Sequence, residues 1–119
     1  MSESAARSIQ KWRGRHDHLD RSGRLWRFKS TWELAYAKHL DALGLAWAYE
    51  PARLLLSTGR TYVPDFWVAE WATYVEVKSW SGSGGGIAKV EQAVQDGHPV
   101  RLMGKPEMLP LLAIRNGQP

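Results

Sequence analysis

Cysteine is missing from this 119-residue chain. That excludes disulfide staples and thiolate metal sites, and it suits a reducing compartment. Long apolar runs are missing as well, since no stretch approaches the roughly 18 residues of a membrane span. The N-terminus lacks the apolar core of a signal peptide, so the expectation is a soluble, cytoplasmic protein. Histidine is scarce, at four residues. His16-Asp17-His18 reads as polar loop, and with only His39 and His98 elsewhere no ligand set with metal spacing forms around it. The glycine-rich run over 79–86 has neither the Gly-Lys-Ser/Thr ending of a phosphate loop nor the spacing of a dinucleotide-binding turn. Internal repeats are absent.

Acid is scarce in one place. Residues 1–29 hold eight Lys/Arg against Glu3, Asp17 and Asp20, whereas residues 30–119 hold eight against nine acids. The whole basic excess, +4 overall, therefore sits in the first quarter. A concentrated basic segment neutralises phosphates, the sequence-independent part of nucleic-acid affinity. It also serves as a plain solvated tail. Arg13, Arg15, Arg21, Arg24, Arg27 and Lys29 are the candidates for gripping a nucleic-acid backbone. The pattern predicts a short helix over 4–12, a turn over 20–23 and a strand or extended arm over 24–29.

What is present fits a folded globule: 44% apolar residues, seven tryptophans and 13.5 kDa, enough for one modest core. We divide the chain into a basic arm, 1–29, and a folded domain, 30–119. Ser30-Thr31-Trp32-Glu33 is a capping box, in which Glu33 is expected to reach the amide of Ser30. Trp32, Ala35, Tyr36, His39, Leu40 and Leu43 follow at helical spacing, and Gly44 is the stop. Strands are predicted over 45–50 and 53–57. After the glycine-rich run come a helix over 87–96, with Ile87, Val90, Ala93 and Val94 inward, a buried-type strand over 99–103 and a helix over 106–114. Trp80 suits either core packing or stacking on a base.

The chain is organised around 62–80, YVPDFWVAEWATYVEVKSW, which reads as two strands and a tight turn. A two-residue turn at Trp71-Ala72 would set Asp65 across from Lys78, about 5 Å away, with Glu76 as its diagonal neighbour. Alternation then puts all three on one face, and Phe66, Val68, Val75 and Val77 on the other. Two carboxylates at that spacing can share a hard divalent cation. A lysine beside them can hold a water or stabilise charge on a phosphate. The same residues also fit an ordinary hairpin with a surface Asp–Lys pair.

Pro64-Asp65, ten intervening residues and Glu76-Val77-Lys78 resemble the PD-(D/E)XK nuclease signature. STWELAYAKHLDALG is similar to the helix that precedes it in that superfamily, and Tyr49-Glu50-Pro51 to a structural element found nearby. The resemblance spans about 30–114 and implies an α/β fold (α+β, mixed sheet) with a restriction-endonuclease-like core: helix, three or four antiparallel strands, helix, strand, helix. The glycine-rich insertion departs from the pattern. Implied too are Mg²⁺, with Mn²⁺ able to substitute, held by Asp65, Glu76, the Val77 carbonyl and Glu33, and a catalytic set of Glu33, Asp65, Glu76 and Lys78. Lys89, on the following helix, would face the phosphate. The implied activity is metal-dependent DNA cleavage by a homodimer, most like small junction-resolving endonucleases on branched DNA, with no organic cofactor and no membrane. Mismatch-nicking enzymes, transposase-type endonucleases, an inactive DNA-binding module of the same fold and a small basic adaptor that binds protein are the alternatives.

Overall fold

The computed structural model describes residues 16–78 and 85–115. The expected helix over 4–12, Arg13, Arg15, Trp80 and most of the glycine-rich run lie outside them. The described elements, in chain order, are β1 (Asp17–Leu19), β2 (Leu25–Arg27), α1 (Thr31–Ala42), β3 (Trp47–Tyr49), β4 (Leu54–Leu55), β5 (Thr61–Tyr62), β6 (Phe66–Val68), β7 (Thr73–Val77), α2 (Gly85–Gln95), β8 (Val100–Met103) and α3 (Lys105–Arg115). They make an α+β fold around a four-stranded mixed sheet of order β3-β6-β7-β8. β6 runs antiparallel to both of its neighbours, β3 and β7, and β8 runs parallel to β7. Parallel neighbours need a long crossover, and α2 supplies it.

Ser30 starts α1 as expected: it is extended (φ −149°, ψ 160°), and its Oγ accepts the Glu33 N–H at 3.1 Å. The return bond differs, because Glu33 Oε1 accepts from the amide of Lys29 at 2.8 Å rather than from Ser30. Gly44 ends the turn at φ +75°, a conformation that costs glycine nothing. The inner face is Glu33, Leu34, Ala35, Tyr36, Ala37 and Leu40. Leu43, expected inside, is 53% exposed because it lies past the last helical turn.

Two apolar clusters flank the sheet. Phe28, Leu34, Ala37, Leu40, Phe66, Val68, Val75, Val77 and Met108 form the larger, under α1 and α3. Leu56, Tyr62, Val90 and Ala93 form the smaller, between α2 and the β4–β5 hairpin, with Val100 packed against it. Strand alternation puts Val100 and Met103 on opposite faces of β8, and Met103 packs on the larger cluster. The clusters therefore cover opposite faces.

Several sequence expectations change. The segment over 53–57 shrinks to Leu54–Leu55, paired with Thr61–Tyr62 outside the main sheet. Val94 is 51% exposed, and β8 is a half-exposed edge strand with Leu102 at 40%. The apolar run there matched a central strand, but α2 and α3 each cover only part of it. His16-Asp17-His18 is no polar loop either. Asp17–Leu19 pairs antiparallel with Leu25–Arg27, and His18 Nε2 meets Asp41 Oδ2 at 2.6 Å. Part of the basic segment thus packs on the domain, and Phe28 is buried within its core.

Candidate active site

The turn after β6 sets the register of the site. Ala69–Trp71 forms a 3₁₀ turn, and Ala72 adopts a left-handed conformation (φ 49°, ψ 47°). Four residues therefore link the strands instead of two. Phe66 pairs with Val75, Trp67 with Tyr74 and Val68 with Thr73. Continued by one residue, this register sets Asp65 across from Glu76 and makes Lys78 the diagonal neighbour, the reverse of the expected arrangement. A slip of two residues keeps every side chain on its own face. Phe66, Val68, Val75 and Val77 are accordingly buried.

Asp65 is 4% exposed and Glu33 5%. Asp65 Oδ2 accepts the Val77 N–H at 2.8 Å, locking the carboxylate to the next strand. Its own amide lies near enough to Glu76 to favour that carboxylate's charged form, and its carboxyl lies against that of Glu33. Glu33 Oε1 also accepts from Tyr49 Oη at 2.8 Å, and Glu76 Oε1 from Tyr62 Oη at 2.7 Å. Three carboxyl groups thus meet at one end of the sheet. Glu33 comes from α1 and the larger cluster, Glu76 from the opposite face, and Asp65 touches both.

The electrostatics follow from that crowding. Burial, then the charges of Glu76 and Glu33, push Asp65 up to about 8, against the pull of the Val77 N–H. Burial also raises Glu76, although the Tyr62 hydroxyl, the Asp65 amide, Lys78 and Lys29 draw it back. Tyr62 is driven up first by burial and then by Glu76, and Tyr49 by burial and Glu33. Both phenols therefore keep their protons and stay donors.

Cations ring the cluster. Lys78 shares the Glu76 face, and its Nζ lies so near α2 that a Cβ on Gly86 would come within 2.6 Å of it. Lys29 pairs with Glu50 at 2.8 Å, which raises its own ionisation range along with smaller pulls from Glu33 and Asp65. Glu50 holds φ 47° and donates its amide to the Asp65 carbonyl at 2.7 Å. Lys89 joins Tyr62, Val63, Glu76 and Gly86 in lining a cleft of about 350 Å³.

Among the other described candidates, Arg24 and Arg27 have partners within their own hairpin. Arg24 stacks over Trp26 at 3.9 Å, Arg27 meets Asp17 at 3.1 Å, and Arg21 lies against Gly44. Lys29 and Lys89 are brought to the carboxylates; Arg21, Arg24 and Arg27 stay with the hairpin.

Among the described residues no three His, Asp or Glu side chains converge as they stand on one metal position. The donor chemistry nevertheless fits a hard cation. Asp65, buried, and Glu76, half-buried, are oxygen donors on one face, and Mg²⁺ takes one or two carboxylates while keeping several waters. Sequence reasoning missed the role of the two tyrosines, placing Tyr49 in a strand and in the Tyr49-Glu50-Pro51 element, and Tyr62 at the head of the organising stretch. The available signal was that a buried tyrosine needs a partner for its hydroxyl. Among the described residues no helix is long and apolar enough to cross a membrane. Compared with known proteins, the chain matches no family model, no curated protein and no solved structure.

Proposed function

We propose that this protein is a Mg²⁺-dependent endodeoxyribonuclease with the restriction-endonuclease-like core that its motifs resemble. The observation that carries the reading is the β6–β7 register, which sets Asp65, one residue before β6, opposite Glu76, with Lys78 on the same face and Glu33 buried beside Asp65. An ordinary hairpin has no use for carboxylates crowded enough to resist ionisation, whereas perturbed acids cluster where chemistry is done.

Asp65 and Glu76 would hold the ion, with the Val77 carbonyl and Glu33 assisting. Once bound, Mg²⁺ supplies positive charge to the phosphate oxygens and acidifies a coordinated water. Lys78 orients the attacking water and stabilises negative charge developing on the phosphate. Hydrolysis adds the water's oxygen to phosphorus and delivers a proton to the departing sugar oxygen. Lys89 and Lys29 flank the cluster where a DNA backbone would approach. Branched DNA cut by a homodimer is the substrate and assembly we favour.

The test incubates the protein with four-way-junction, mismatched and plain duplex DNA, in Mg²⁺ or EDTA, beside Lys78→Met. Paired Mg²⁺-dependent cuts in the junction, lost by at least about a hundredfold in the variant, are expected. Cutting of plain or mismatched duplex instead would keep the chemistry and replace the substrate. Binding without cutting in any divalent ion would leave an inactive DNA-binding module.

Gly86 offers a separate check. Gly86→Ala puts a methyl group within 2.6 Å of where Lys78 Nζ now lies. The lysine must swing away, which a flexible side chain does at little cost in stability. Cleavage is expected to fall about tenfold, roughly 1.4 kcal/mol in the barrier, with the melting temperature unchanged. Undiminished cleavage would show that Lys78 acts from some other position.

A further inference from the structure

We infer that Tyr62 and Tyr49 are positioning residues, whose hydroxyls aim Glu76 and Glu33 toward Asp65 and so set how tightly the site takes a divalent cation. This rests on the nuclease reading and concerns residues which that reading does not include.

The arrangement is built symmetrically. One hydroxyl comes from each side of the sheet, Tyr62 to Glu76 Oε1 at 2.7 Å and Tyr49 to Glu33 Oε1 at 2.8 Å. Neither ring is free to move. Tyr62 is 4% exposed and packs with Leu56, Val90 and Ala93 in the smaller cluster. The hairpin that carries it is tied to α2 by Ser57, whose amide and hydroxyl both donate to Asp96 at 2.8 Å, and by Gln92, which donates to the Ser57 Oγ at 2.9 Å. On the other flank, the Tyr49 ring stands edge-on to Phe28 with centroids 4.7 Å apart and lies 5.5 Å from Phe66.

A glutamate has three torsions, and nothing in a strand or helix fixes its outer ones. A rigid phenol donating to one carboxylate oxygen removes that freedom before any cation arrives. Hydrogen-bond partners behind metal ligands act in this way, and losing one weakens metal affinity about 10–100-fold. The smaller cluster then has a purpose beyond stability. It joins the wall of the cleft that carries Lys89 and Gly86 to the phenol that holds Glu76.

Tyr62→Phe and Tyr49→Phe remove only the hydroxyls. Mn²⁺ titrated calorimetrically into DNA-free protein near neutral pH is the readout, with thermal melting of the metal-free variants alongside. Each variant is expected to bind Mn²⁺ about tenfold more weakly than wild type while melting within a few degrees of it. Raised Mn²⁺ should restore cleavage by Tyr62→Phe but not by Asp65→Asn. Tyr49→Phe gives an independent reading should Tyr62→Phe melt too low to titrate. Binding within twofold of wild type in the variants would reduce the phenols to buried structural groups and overturn the inference alone. A wild type that takes up no divalent ion would overturn the nuclease reading, and the inference with it.

Discussion

Asp65→Asn is expected to make the metal-free protein more stable at pH 8, by about 2–3 kcal/mol, and to leave it nearly unchanged at pH 4. Asp65 is buried between Glu33 and Glu76 and titrates near 8 in the fold, against about 3.9 in an unfolded chain. Between those values the folded protein binds more protons than the unfolded one. The stability due to this group is therefore complete below about pH 4 and is lost as pH rises through about 8. Each unit of such a shift is about 1.4 kcal/mol, so the full span exceeds the expected gain. Relaxation of the coupled carboxylates and water entry reduce it.

Asparagine keeps the acceptor for the Val77 N–H and brings an amide that can donate to the neighbouring glutamates, while removing the charge. For a domain of this size the gain corresponds to roughly 10 °C in melting temperature. Thermal melts from pH 4 to 8 decide the matter: a wild type and variant that differ equally at both ends would sink the electrostatic account. Under the proposed function, millimolar Mg²⁺ closes the gap at pH 8 by stabilising wild type alone, and the variant loses cleavage by at least about a thousandfold.

That the variant should fold better than the natural sequence bears on why this carboxylate cluster was legible in the sequence. A strand position that alternation points away from the main core, next to Pro64 and filled by aspartate, favours neither β structure nor burial. Glu76 two residues before Lys78 repeats the conflict. Such conflicts with local rules are what a candidate site presents in a sequence, and here they gathered in one stretch. Face assignment survived because parity is insensitive to a slip of two.

The register did not survive, because nothing in Ala69-Glu70-Trp71-Ala72 marks a 3₁₀ turn closed by a left-handed alanine. That position ordinarily selects glycine or asparagine. The partners of the carboxylates were hidden for a different reason. Tyr49 and Glu33 are 16 positions apart on different elements, and Tyr62 belongs to a hairpin outside the main sheet. Contacts of that kind depend on how layers stack, which composition and periodicity do not encode. His18 with Asp41 is a further case: a pair 23 positions apart in a stretch that reads as polar loop until the hairpin is docked.

Phe66→Ala is expected to cost about 3–5 kcal/mol, near the top of the range for truncating a single side chain. Phe66 has no exposed surface. Its ring centroid lies 5.3 Å from Tyr36, 5.5 Å from Tyr49, 5.6 Å from Trp47 and 5.8 Å from Phe28. It is the hub where α1, β3 and the segment leading into α1 meet the sheet. Truncation removes the buried ring and leaves a cavity whose walls are themselves large rings, which cannot collapse without leaving their rotamers. Each aromatic pair lost adds about 0.5–1.5 kcal/mol beyond the buried area, and that places the cost toward the upper end. Natural domains hold only about 5–15 kcal/mol in total, so the variant should lose roughly 15 °C in melting temperature. Phe66→Leu keeps most of the volume and should lose under about half as much. Urea midpoints for the pair measure both. A Phe66→Ala loss below about 1.5 kcal/mol would mean the rings pack around one another without this hub. The position also links stability to the site, because Phe66 follows Asp65 directly and supports the Tyr49 ring that reaches Glu33. Phe66→Leu should therefore weaken Mn²⁺ binding less than Tyr49→Phe does, although it costs more stability. Packing and carboxylate placement would then be separable within a single cluster.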